Sequence, residues 1–323
     1  MGLKLQTFDD IVTAIMEGIG VQTADTTAKN KIKRMVNMYY LDEVVAFKRW
    51  WWLEKNTQIV HNAFYGTGNV AVTQGSPTVT MDTAPAAALG SFAGHRFAID
   101  SDTPVYYVDS HTAGSTTMTL TLDYQEDDNA EVGFKVWRDR FDLPVDAKET
   151  IDIWHDKKSR PMEAIGSQLF RQLEAADNKI QDAPSHYSTY DFVDPSSGDA
   201  ESDDDRYRTV RIYPSITDQA ITLNVDYTQK VAEMTDDLDE PLMPIEDRIV
   251  LYYGAGAQAW SVISRNEDMH DRWRMKAELK LIRMANERED GMDTPALKPR
   301  SRYVNAIRRS GLRAWRRRIW RSM

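Results

Sequence analysis

Thr117-Met118-Thr119-Leu120-Thr121-Leu122 alternates polar and apolar side chains with a period of two. That period places every second residue on one face of a strand. The pattern recurs upstream in Asn69-Val70-Ala71-Val72-Thr73, Thr78-Val79-Thr80, Phe97-Ala98-Ile99 and Val105-Tyr106-Tyr107-Val108. Turn residues separate the runs: Gly75-Ser76-Pro77, Gly90, Asp102-Thr103-Pro104 and Gly114-Ser115. Short strands punctuated in this way predict a small antiparallel sandwich or barrel, occupying residues 57–138 with Phe134–Trp137 as a further strand.

On either side of this segment the period changes to that of a helix. Thr7 or Asp9 can cap a helix carrying Ile11, Ile15 and Ile19, with Gly18 and Gly20 ending it. A longer helix carries Ile32, Val36, Tyr39 or Tyr40, Val44 and Phe47 into Trp50-Trp51-Trp52. Three consecutive tryptophans cannot all point inward from one helix, so they are expected at a packing boundary between subunits or domains. Near the C-terminus, Ile249, Tyr252 or Tyr253, Gly256, Ala259 or Trp260 and Ile263 form one apolar helical face. Met269, Trp273, Ala277, Leu281, Met284 and Ala285 form the matching face of a second helix, which predicts a helical hairpin. Trp260 and Trp273 join Trp50, Trp51 and Trp52 as candidate subunit-packing residues.

Residues 139–240 read as mixed. Ile151–Trp154 is extended and Pro161–Leu173 helical, Asp191–Asp205 is an acidic loop, and Val210–Tyr213 with Ala220–Tyr227 alternate like paired strands. The expected fold is therefore α+β. A helical-bundle body combines N-terminal helices (1–56) with a C-terminal helical hairpin (241–290). It carries an inserted small antiparallel β-sandwich or barrel (57–138), a mixed connecting region (139–240) and an extended basic C-terminal arm (291–323).

Composition narrows the class of function. With 41% hydrophobic and 28% charged residues, the chain can bury a sizeable core. It has no cysteine, which excludes disulfides and thiolate metal sites and suits assembly in a reducing cytoplasm. Met1–Gly20 does not read as a signal peptide, and no run reaches the ~18 apolar residues of a membrane span. The net charge is −10, yet residues 294–323 hold ten bases and no acid, leaving −20 for the rest. Two ends of opposite charge imply different partners.

Templates for catalysis are missing from the sequence. His61, His95, His111, His155, His186 and His270 show no zinc-site spacing, and there is neither a nucleophile elbow nor a phosphate-binding loop. Gly254-Ala255-Gly256-Ala257 lies inside an amphipathic helical pattern, where small residues permit close packing. The acids from Asp199 to Asp205 lack the central Gly and terminal Glu of a calcium loop. No catalytic, cofactor-binding or metal-ligating residue is expected.

The C-terminal arm is the sharpest remaining feature. Leu312, Trp315 and Ile319 recur at helical spacing among Arg308, Arg309, Arg313, Arg316, Arg317, Arg318 and Arg321, with Trp320 beside them. Such a helix could lie on an anionic membrane, grip phosphates, or dock an apolar stripe on an acidic partner.

The order of motifs along the chain resembles the head-to-tail adaptors (connectors) of tailed bacteriophages. The matching parts are Phe47-Lys48-Arg49-Trp50-Trp51-Trp52, the stretch Gly66–Tyr124, Asp139-Arg140-Phe141-Asp142-Leu143-Pro144 and Arg208–Pro214. Asp226-Tyr227 then leads through Leu238–Pro244 into the two-helix unit. The resemblance implies a non-enzymatic virion protein at the head–tail junction, assembled in the bacterial host cytoplasm. It further implies a twelve-fold homo-oligomeric ring under the portal protein, with helices forming the ring body and a β-rich insertion projecting from it. The C-terminal arm would reach onto portal subunits, tail or nozzle proteins would attach below, and double-stranded DNA would pass without specific binding. Membrane is not an expected partner. Two other classes remain open: a tail-tip or host-recognition protein whose β domain binds glycan, and a packaging or closure protein whose arm binds DNA.

Overall fold

The computed structural model describes residues 5–100, 104–157, 161–176, 179–193 and 206–287. The basic arm and most of the acidic loop lie outside the described residues. The chain forms two compact units, one from residues 5–44 and 234–287, the other from residues 45–233. Its helices are α1 (Phe8–Ile19), α2 (Thr26–Met38), α3 (Ser167–Ala176), α4 (Ile249–Val262) and α5 (Glu267–Glu287). All except α3 belong to the first unit.

In that unit the local sequence sets both ends of α1 and the start of α2. Thr7 and Asp10 form a reciprocal capping box on α1, and Gly20 closes the helix in the left-handed region at φ +73°. Asp25 caps α2 by accepting from the amides of Thr27 and Ala28. The chain leaves α2 through a π-helical segment, Tyr39–Val45. Helix α4 is apolar on nearly every side and packs against α1, α2 and α5, which is the position such a helix must take. Close packing there depends on glycine. A Cβ on Gly18 would come within 2.7 Å of the Tyr252 hydroxyl and 2.8 Å of the Trp273 ring. Side chains at Gly254 and Gly256 would strike the rings of Tyr39 and Trp273. Gly18 therefore lies within α1 as a packing residue and does not end it.

Arg248 ties the extended entry to α4 in place. It is buried and donates from Nε to the Met243 carbonyl (3.1 Å) and from Nη2 to the Pro241 carbonyl (2.9 Å). Nη1 donates to the carbonyl of Gln6. The Tyr40 hydroxyl accepts from the Leu242 amide at 3.1 Å.

The larger unit is β. Its strands are β1 (Glu54–His61), β2 (Val70–Val72), β3 (Thr78–Met81), β4 (Arg96–Ile99), β5 (Tyr106–His111), β6 (Thr117–Leu120) and β7 (Asn129–Val132). They continue as β8 (Phe134–Trp137), β9 (Arg140–Asp142), β10 (Ala147–His155), β11 (Glu163–Ala164), β12 (His186–Val193), β13 (Arg206–Tyr213) and β14 (Ile221–Gln229). A seven-stranded sheet has the order β7-β2-β3-β6-β5-β4-β8. Its two ends are consecutive in sequence, joined only by Gly133. One run of chain thus pairs with β2 through its first half and with β4 through its second, which curls the sheet toward a barrel. Val70, Val79, Phe97, Val108, Met118, Leu120 and Phe134 fill the interior.

Two smaller sheets, β1-β14-β10 and β11-β12-β13-β9, share a second core. Leu223, Val225 and Tyr227 of β14 and Ile153 of β10 meet Val210 and Ile212 of β13, Tyr187 of β12 and Phe141 of β9 there.

These sheets overturn the expected helical-bundle body with a small β insertion. Among the described residues, fourteen strands in three sheets against five α-helices make the structure mostly β. The source of the error is residues 139–240. They supply β9–β14, every strand but β1 of two further sheets, where a connecting region was expected. The helix there runs only from Ser167 to Ala176, and Val210–Tyr213 and Ala220–Tyr227 do not pair with each other. β13 pairs with β12 and β9, whereas β14 pairs with β1 and β10.

Candidate functional site

Among the described residues, no group of three or more His, Asp or Glu side chains is placed to hold a metal ion. No described helix is long and apolar enough to cross a membrane. A cleft of about 490 Å³ lies between the β11–α3 turn and β12, lined by Ile165, Gly166, Ser167, Tyr187, Thr189 and Tyr190 among others. Near it the Ser185 hydroxyl is 2.8 Å from His186 Nδ1, and Glu163 is 3.8 Å from His186 Nε2. The carboxylate is 76% exposed and beyond hydrogen-bond range, so the trio lacks the oriented base of a nucleophilic site.

The strongest electrostatic feature is buried in the β unit. Asp139, fully inaccessible, faces Arg96 of β4 and Arg211 of β13, each about nine-tenths buried. Arg211 donates to Asp139 Oδ2 from Nη2 (2.8 Å) and Nε (3.2 Å). Arg96 Nε lies 2.8 Å from the same oxygen without aiming its N–H at it. Both guanidiniums also reach Glu174 Oε1 of α3 at 2.5 Å, and Arg96 donates to the Tyr107 hydroxyl at 3.0 Å. Burial alone would lower the pKa of each arginine. Asp139, Tyr107 and Glu174 more than offset it, and both end above the ordinary value. Two cations opposite two anions close the charge balance. The cluster joins the seven-stranded sheet (β4, β5) to the four-stranded sheet (β13) and α3, which is a structural duty. Close by, His61 is buried edge-on to the Phe141 ring at 5.3 Å. Burial pushes its pKa down to about 4, against weaker upward pulls from the Ser215 backbone and Asp139.

The tryptophans predicted at packing boundaries have separate fates. Trp50 is buried and stacks between Phe47 (6.4 Å) and Trp52 (6.0 Å), while Trp51 is 41% exposed. Trp51 and Trp52 sit in a single 3-10 turn, Trp51–Leu53, not at a helix end. Trp273 is buried against Tyr252 (4.7 Å) in the helical unit, with Trp260 half-buried beside it at 6.1 Å. Trp273 therefore packs within its own chain. The arm residues Arg308, Arg309, Leu312, Arg313, Trp315, Arg316, Arg317, Arg318, Ile319, Trp320 and Arg321 lie outside the described residues.

Sequence reading missed the apolar side chains that the helical unit leaves in water. On α5, Trp273, Ala277 and Leu281 turn inward, while Met275 and Leu279 point the other way and are each 62% exposed. On the irregular segment before α4, Leu238, Leu242 and Ile245 are exposed while Met243 is buried. Met275 and Leu279 are four apart, a spacing that marks a second helical stripe once the inward face has been assigned. No family model matches the chain, and no curated protein matches it.

Proposed function

We propose that this chain is a structural virion protein of a tailed phage: a head-to-tail adaptor that assembles as a ring beneath the portal, extends the DNA channel and provides the tail attachment surface. The observation that carries the proposal is the order of motifs from Phe47–Trp52 through Leu238–Pro244 into the two-helix unit, ended by the acid-free arm. Charge supports it. A body of about −20 repels the phosphates of passing DNA, and the arm's arginines can form bidentate pairs with carboxylates of a portal subunit. The exposed aliphatics of the helical unit suit a protein that works by association, and its polar core is accounted for by structure alone. In this reading the arm residues 308–321 dock on portal.

Deleting residues 301–323 tests the assignment. The truncated chain is expected to fold and stay in solution but to lose attachment to portal particles. Undiminished attachment would overturn the role of the arm. Negative-stain images of the full chain mixed with portal should show a ring stacked coaxially on it, and particles without such a ring would count against the adaptor itself.

A further inference from the structure

Five of the seven large apolar side chains exposed among the described residues of the helical unit lie in two stretches of opposite charge, the others being Met38 and Val262. Residues 234–247 contain six acids and no base, and Leu238, Leu242 and Ile245 project from them, Leu238 being 82% exposed. Residues 272–283 of α5 contain five bases and one acid, and from them project Met275 and Leu279.

Part of each charge is met within the chain. Asp237 pairs with Lys29 and Lys33, Glu240 with Arg248, Asp247 with Lys280, and Glu278 with Arg274. Among the described residues, no ion pair meets Asp236 or Asp239 on the first patch, or Arg272 or Lys276 on the second. Each patch therefore keeps its sign.

We propose that the two patches meet between copies of this chain, the acidic segment 236–246 of one lying on the basic outer face of α5 of the next. The inference deepens the ring-adaptor reading, on which it rests, by naming the subunit contact. Two arguments favour unlike patches meeting. Pairing α5 with α5, or segment with segment, brings like charges together, which disfavours a two-fold contact. A contact between two different surfaces leaves the acidic patch free on one chain and the basic patch free on the other, so it propagates and closes into a ring when the rotation allows. The aliphatics supply the burial, and the charges fix which surface meets which.

Mixing experiments separate this arrangement from its rivals. Variant A carries Met275→Glu and Leu279→Glu, and variant B carries Leu238→Arg and Leu242→Arg. All four side chains are exposed, and far-ultraviolet circular dichroism with thermal melting checks that both variants fold. By sedimentation velocity at low salt, the parent should form assemblies larger than a dimer and each variant alone should be monomeric. An equimolar mixture should give a one-to-one dimer and nothing larger, because A keeps its segment and B keeps its α5 face. A monomeric parent, a variant that assembles like the parent, or a mixture that stays monomeric would each overturn the contact. If the contact fails while the parent still attaches to portal through residues 301–323, the adaptor reading stands. Failure of the full-length parent to attach to portal would overturn the adaptor reading whatever the variants do.

Discussion

Removing the Asp139 carboxylate would leave Arg96 and Arg211 confronting each other across a site with Glu174 as the only remaining anion. Stripping one partner from a buried ion pair costs roughly 3–5 kcal/mol, because the surviving charge stays desolvated. Asp139→Ala should therefore lower the stability of the β unit by about that amount in urea unfolding. Replacing Asp139, Glu174, Arg96 and Arg211 together with apolar residues should cost much less. A small loss in the single variant would show that water reaches the cluster. His61 gives the same core a pH dependence. Its folded pKa of about 4 lies below the ordinary 6.5, so between these values the unfolded chain holds a proton that the folded chain does not. Stability from this residue is complete above pH 6.5 and declines as pH falls toward 4, by about 1.4 kcal/mol per unit. Between pH 7 and pH 5 the parent should lose about 2 kcal/mol more than His61→Leu. Equal losses would mean that the imidazole is solvated or charged when folded.

At the scale of elements, Gly254 sets two effects against each other. Replacing a helical glycine with alanine normally stabilises by up to ~1 kcal/mol through helix propensity. Here the added methyl would meet the Tyr39 ring, held by the π-helical segment, and overpacking costs about 1–3 kcal/mol. Collision should win, so Gly254→Ala is expected to lower the melting temperature of the helical unit, and Tyr39→Leu should partly restore it. A more stable single variant would mean that the ring moves aside. The same helix shows what could be read from sequence. The apolar periods of α4 and α5 arise from neighbours three and four apart, which sequence displays directly. So does the alternation behind β2, β3 and β6. Gly18 was misread because turn chemistry and close packing use the same residue. β1 was missed for a different reason. Its sequence Glu54-Lys55-Asn56-Thr57-Gln58 carries almost no apolar alternation, and its partner β14 lies some 160 residues away. Only the buried face of β14, which β10 also borders, makes that edge a strand. β12 and β13 likewise place charged or polar groups such as Arg211 inside, where the Asp139 cluster supplies a partner that no local pattern reveals. The exposed stripe on α5 was present in the sequence but overshadowed by its own inward face.

For the whole molecule, the separation of charge is the property that most constrains behaviour. Ten bases in the last thirty residues and about −20 elsewhere mean that the arm and the body respond oppositely to any charged surface. Under the proposed adaptor role, attachment of the arm to portal has two components with different signatures. Charges steer encounter and are screened beyond roughly 8–10 Å at physiological salt, so raising salt should slow association. In that role, docking buries the stripe of Leu312, Trp315 and Ile319 against portal, and burial of that kind governs dissociation. Replacing these three by alanine removes much of two aliphatic side chains and one indole, each worth on the order of 1.5–3 kcal/mol when fully buried. Because one buried side chain of that size already corresponds to tenfold or more in rate, the triple variant should leave portal at least about ten times faster. Its association rate should stay close to the parent's, since every arginine remains. Surface-immobilised portal with the full chain in flow would resolve both rates. An unchanged dissociation rate would show that the arginines alone hold the arm, and an unchanged salt response of association would show that they do not steer it.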